Sequence, residues 1–166
     1  FSLQQESFRK ELSAGGDSAL SIVRRCRPLM YSTLFPSLTF LKSELQSNNI
    51  DNSEGISRLN QILEDIEEGM ATIQIVQGTP PVSQIRTTAF RLRIGAVFEA
   101  AVDADATVCA LWHGWESEGN PDWEIVEAPR QAARILKAVN IREGKAVPEL
   151  ISLPYMPIQR EGESDE

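Results

Sequence analysis

Arginine carries the most legible chemistry in this chain. There are 12 arginines against four lysines, and a guanidinium forks onto phosphate or carboxylate where an ammonium acts as a point charge. The cations gather as Arg24, Arg25 and Arg27, as Arg86, Arg91 and Arg93, and as Arg130 and Arg134 with Lys137. On a helix the last three fall at i, i+4 and i+7 and make one basic stripe. Arg86 and Arg93, seven apart, would likewise share a face. Brought together by a fold, the three groups would form a basic groove that reads the backbone of RNA or DNA in a salt-sensitive way. Set against this, each group has an acidic block of the same chain that it can face instead.

The residue types that usually carry catalysis lack partners at usable spacing. His113, the single histidine, stands between Trp112 and Gly114 with no nucleophile motif beside it and no HExxH pattern. Asp103, Asp105, Glu116, Glu118, Asp122, Glu124 and Glu127 do not follow the alternating-ligand pattern of a calcium loop and read as solvated acidic surface. The glycines are scattered, so neither a phosphate loop nor a dinucleotide fingerprint is present. Cys26 and Cys109 lie far apart and read as buried small side chains in a reducing compartment. The expectation is no catalytic residue, no cofactor and no metal, with an enzyme of unrecognised site as the third-ranked reading.

A length of 166 residues, 42 % hydrophobic and 24 % charged, fits a single globular domain. The net charge of -8 weighs against a surface adapted as a whole to nucleic acid or to an anionic membrane. Its distribution says more. Residues 43–70 hold one Lys/Arg against seven Asp/Glu, residues 71–98 hold three against none, and residues 99–127 hold none against eight. Blocks of alternating sign can pair within one fold or between copies of it. No run approaches the roughly 18 apolar residues of a spanning helix. Gln4, Gln5, Glu6, Arg9 and Lys10 stand where a signal peptide would be apolar. No membrane contact is expected, and the location expected is intracellular, cytoplasmic.

The elements that must position these groups read as helices. A first helix over 2–13 is ended by Gly15 and Gly16, a second follows Asp17 or Ser18 up to Pro28, and a third opens at Pro36 and Ser37. After a Ser53 cap, Ile56, Leu59, Leu63, Ile66, Met70 and Ile73 recur in steps of three and four, an a/d seam about two and a half heptads long. Gly78, Thr79, Pro80 and Pro81 make the strongest break, a candidate hinge at 78–82. Residues 85–98 fit a helix through Ile85, Ala89, Leu92 and Ala96, or a strand through Phe90, Leu92 and Ile94 alternating with Arg91 and Arg93. The alanine-rich run 96–106 favours helix. Another helix is expected over 105–115, a polar loop over 116–123, and a last helix from Pro129 to about Arg142. The predicted architecture is all-α or nearly so, an irregular bundle of six to seven helices over 1–147, with a proline-punctuated extended arm and acidic tail over 148–166.

An arm whose apolar residues have no local structure to bury them must lie on its own domain or on a neighbour, which marks Leu153, Tyr155, Met156 and Ile158 as interface candidates. Trp115 and Trp123 join them, because tryptophan is enriched at the energetic centres of interfaces. The function expected is non-enzymatic: an assembly or protein-binding domain acting through protein–protein contacts, with a homo-oligomer as the leading form. The alternative is a coat- or nucleocapsid-like subunit that also holds RNA or DNA through its arginines.

Overall fold

In the computed structural model, which describes residues 2–86, 88–117 and 119–154, Gly15 and Gly16 do not end a helix. Helix α1 runs Ser2–Val23 through both. A Cβ at Gly15 would come within 3.3 Å of Leu59 Cδ2, so the glycine serves close helix packing and not a turn. Helix α2, Pro28–Gln46, opens on a proline and passes through Pro36. A proline inside a helix costs about 3 kcal/mol. Met30, Tyr31, Leu34, Leu38, Leu41 and Leu45 are all buried along α2, and at roughly 1.5–3 kcal/mol for each large apolar side chain that burial outweighs the cost.

Asn48 closes α2 with a φ of 56°, and Arg9 of α1 donates from Nε to Leu45 O (2.9 Å) and from Nη2 to Ile50 O (2.6 Å), fastening the connection. Helix α3 spans Asn52–Ala71. Its first turn is capped by Asp51, whose Oδ1 accepts from the Glu54 N–H at 2.8 Å, and not by Ser53. Gly55 of α3 meets Leu12 of α1 and Leu45 of α2. By its contacts the chain divides into two units, Phe1–Ala71 and Thr72–Glu166, and these three helices are the first.

The second unit overturns the all-α expectation. Five strands, β1 (Ile73–Gly78), β2 (Ala89–Ile94), β3 (Phe98–Asp103), β4 (Cys109–Ser117) and β5 (Asn120–Val126), form an antiparallel sheet in sequential order, followed by helix α4 (Pro129–Arg142). The chain is thus mixed, with four helices and five strands among the described residues. Ile73, which extends the α3 periodicity in sequence, is the first residue of β1. The alternation of Phe90, Leu92 and Ile94 with Arg91 and Arg93 is a strand pattern, not a helix. The break at Gly78–Pro81 is the exit from β1 into a connecting loop.

The alanines of 96–106 misled for a physical reason. A strand covered on both faces need not alternate apolar with polar. Leu92, Ala100, Val102, Cys109 and Leu111 pack against Ala132, Ile135 and Val139 of α4. On the opposite face Ala89, Ala101 and Ala110 pack under Ile85 and Val82 of the β1–β2 loop. Small side chains let both coverings approach the sheet.

Residues 148–154 have no regular structure, and Leu153 packs on the α4 side of the sheet, on its own unit. The other arm candidates, Tyr155, Met156 and Ile158, lie with the acidic tail outside the described residues. No helix among the described residues is long and apolar enough to cross a membrane.

Candidate functional site

The register aligns one row of side chains across the sheet on the face turned away from α4. Gln74 pairs with Arg93, Arg93 with Glu99, and Trp112 with Trp123. One further step of the β3–β4 register sets Glu99 opposite Trp112. Glu99 is 1 % exposed and receives Arg93 Nε at 3.1 Å, with Arg91 Nε also 3.1 Å from the same oxygen. Its second oxygen and the indole N–H of Trp112 find no hydrogen-bond partner among the described residues. Burial draws the Arg91 guanidinium below its ordinary value, opposed by the charge of Glu99 and reinforced by that of Arg93. Two cations on one buried carboxylate form a structural triad.

The tryptophans belong to the same face. Trp112 and Trp115, three apart, would point to opposite sides of a regular strand. A register shift between Trp112 and Gly114 prevents this. Gly114 adopts φ 148°, a conformation L side chains rarely take, and the two rings meet edge to face at 5.8 Å and 74°. Arg91 stacks over Trp123 at 5.4 Å. Trp115 and Trp123, expected at an interface, are half-buried in this arrangement of rings and guanidinium.

Three other sites carry polar chemistry. His113 Nε2 lies 3.1 Å from Asp122 Oδ2 across β4 and β5. Asp103 organises the β3–β4 hairpin: its carboxylate accepts from the backbone N–H of Thr107 (2.8 Å) and of Val108 (3.2 Å) and from the Thr107 hydroxyl. Burial pushes this carboxyl upward, but the hydrogen bonds together prevail and hold it below the usual carboxylate range. Both cysteines are free and buried. Burial raises the Cys26 thiol and, with the charge of Asp103, pushes Cys109 up to about 11. No group of three or more His, Cys, Asp or Glu among the described residues could hold a metal ion. A cleft of about 620 Å³ opens beside the α2–α3 connection, lined by Gln5, Arg9, Asn48 and Asn52 among others, but Arg9 spends its Nε and Nη2 donors on backbone carbonyls.

The arginine groups fare differently. Arg27 and Arg93 are buried, and Arg91 is half-buried, so these three are not presented to a phosphate backbone. Arg24 lies 6.0 Å from the centre of the Phe35 ring, Arg25 is exposed in the first unit, and Arg86 is exposed in the second. The α4 stripe is where the spacing places it: Ala132, Ile135 and Val139 are fully buried while Arg130, Arg134 and Lys137 face solvent. Lys137 is bridged to Glu149.

The α3 seam divides. Of its residues Ile66 turns inward, on a buried face with Gly55 and Ile62, which the seam did not include, whereas Ile56, Leu63 and Met70, each seven residues from the next, remain 36 %, 40 % and 53 % exposed. A straight helix rotates about 20° per heptad relative to a seven-residue repeat, so these three make one gently drifting row. Leu59 lies on the flank of that row, over the space that a Cβ at Gly15 of α1 would enter. On α1, Phe8 and Ile22 stand seven residues either side of Gly15 and are also exposed.

Two features escaped the reading of the sequence. Glu99 was legible in principle, because 71–98 contains cations and no acid, and a strand that turns arginines inward requires a carboxylate on a neighbouring strand. Asp103 had the weaker signal of an aspartate four residues ahead of a threonine. Compared with protein-family models, with curated proteins and with solved structures, the chain matches none.

Proposed function

We propose that this chain acts by protein–protein association, with copies of itself as the partner, through the exposed apolar row of its first unit. The observation that carries the reading is the exposed heptad row Ile56, Leu63 and Met70 on α3. Single exposed apolar residues are ordinary on any surface. Three on one line of a helix form a row of the kind a partner helix covers, and Phe8 and Ile22 of α1 add exposed apolar surface to the same unit.

Magnitudes set what else the contact requires. Completing the burial of three half-exposed side chains contributes on the order of 1 kcal/mol each, judged against roughly 1.5–3 kcal/mol for full burial. Association costs on the order of 4–15 kcal/mol in lost freedom. The row alone makes a weak contact, and stable assembly needs complementary polar groups beside it.

The test is light scattering coupled to size-exclusion chromatography over a wide concentration range, on the natural chain and on Leu63→Ser with Met70→Ser. The natural chain is expected to grow in mass with concentration and the variant to stay monomeric at the same loading. A natural chain that remains monomeric throughout overturns the reading.

A further inference from the structure

The polar complement that the α3 row requires is present in the chain's own second unit. We infer that the basic stripe of α4, Arg130, Arg134 and Lys137, is the surface that seats on the row Ile56–Leu63–Met70 of a second copy. The inference rests on the proposed self-association and names its contact.

Charge is the first argument. Glu67, four residues after Leu63 and three before Met70, is exposed beside both, and Glu64 is exposed farther round on the solvent side of the row. Arg130 and Arg134 are exposed and stand in no ion pair among the described residues. The flank of the row is thus acidic, and Arg130 and Arg134 offer it the opposite sign, while Lys137 of the stripe is already bridged to Glu149. A chain with net charge -8 repels a polyanion at long range, so an acidic helix face is a better match to this stripe than a nucleic-acid backbone.

Shape is the second. The stripe from Arg130 to Lys137 and the interval from Leu63 to Met70 each cover seven residue steps of a helix, so both extend about 10.5 Å at 1.5 Å per residue. Ala133 is exposed within the stripe and allows close approach of helix to helix. Arginine and lysine carry long apolar stems below their charged heads. Laid over Leu63 and Met70, those stems cover apolar surface while the heads reach the flanking carboxylates.

The third argument is symmetry. Each copy carries both the row and the stripe, so two copies can exchange the contact reciprocally or a series of copies can continue it. The contact is screened by salt, since its charges lie at a rim.

The experiment uses the full chain in three forms: natural, Arg130→Glu with Arg134→Glu, and Glu64→Lys with Glu67→Lys. Acids near the start of α4 and cations near the end of α3 suit the helix dipoles, so both variants retain their helices; circular dichroism checks this. Each variant alone is expected to associate at least about tenfold more weakly than the natural chain. An equimolar mixture of the two is expected to regain the natural mass distribution, because every reversed surface then meets an opposite one. Undiminished assembly by either variant, or a mixture that stays dissociated, overturns the contact while self-association itself stands. A natural chain that never exceeds monomer mass removes the underlying reading instead. Retention of a 30-nucleotide single strand that Arg130→Glu with Arg134→Glu abolishes, with assembly unchanged, assigns the stripe to nucleic acid and also overturns the contact.

Discussion

The two units solve the same problem in opposite ways. The first leaves Ile56, Leu63 and Met70 in water on the outside of its helices, and the second holds Glu99, Arg93 and most of Arg91 inside. A helix buries only a stripe, so three helices of this length leave apolar residues over at their edges. The central strands of the sheet are covered on both faces, so any charge placed on them is buried and has to be paired there. Exposed apolar surface favours partners, whereas buried charge favours one arrangement of strands.

The sharpest way to break this comparison is to leave the buried cations without their acid. Glu99→Ala is expected to destabilise the second unit by about 3–5 kcal/mol, followed as urea unfolding by tryptophan fluorescence, since Trp112 lies in the same row as Glu99. A loss below about 1 kcal/mol would show that the triad is solvated and the contrast false. Replacing all three partners, with Arg91→Met, Arg93→Met and Glu99→Leu, should recover most of that loss, because well-packed apolar residues often match or exceed a buried ion pair.

A smaller effect tests whether the hairpin that sets the β3–β4 register depends on charge. Asp103→Asn should cost roughly 1–3 kcal/mol at neutral pH through its hydrogen bonds. The folded carboxyl lies below its unfolded value, so its contribution is complete above the ordinary carboxylate range near pH 4 and is lost as pH falls through the lower, folded value. Unfolding free energies of the two forms should therefore converge in acid. A gap that persists undiminished to pH 2 would contradict this.

The smallest effect distinguishes two glycines of the first unit by sign. A Cβ at Gly55 would lie 2.7 Å from Leu12 Cδ2 and 3.0 Å from Leu45 Cδ2, two core side chains on different helices. Gly55→Ala should lose about 1–3 kcal/mol. At Gly69 the obstacle is the tip of Met30, with Cε 2.5 Å and Sδ 2.9 Å away, and a flexible thioether can turn aside. Gly69→Ala should be neutral or gain up to about 1 kcal/mol from helix propensity. Thermal melts of the two variants that shift in the same direction would break the distinction.

Local rules make α3 and α4 legible in the sequence alone. The i, i+3, i+4 recurrence from Ile56 and the Pro129 opening are signals that a helix contains within itself, and the basic stripe on α4 follows from spacing. The strands are not legible in this way. Ala96 to Ala106 has the propensity of a helix, and only the coverings on both faces make alanine the residue a central strand needs there. Gly15, Gly16 and Pro36 look like boundaries because glycine and proline weaken isolated helices, yet each lies within a helix. Tertiary burial outweighs a local cost of a few kcal/mol.

By itself the sequence determined the acidic balance, the periodic helices, and which side chains of α3 and α4 share a line, because these depend on residue type and on the 3.6-residue turn. Which half of the α3 seam stays in water, which arginines are buried, and that Glu99 receives two of them were decided by the fold. Those outcomes depend on which strand lies beside which and on what covers each face, distances that close only when residues far apart in the chain are brought together.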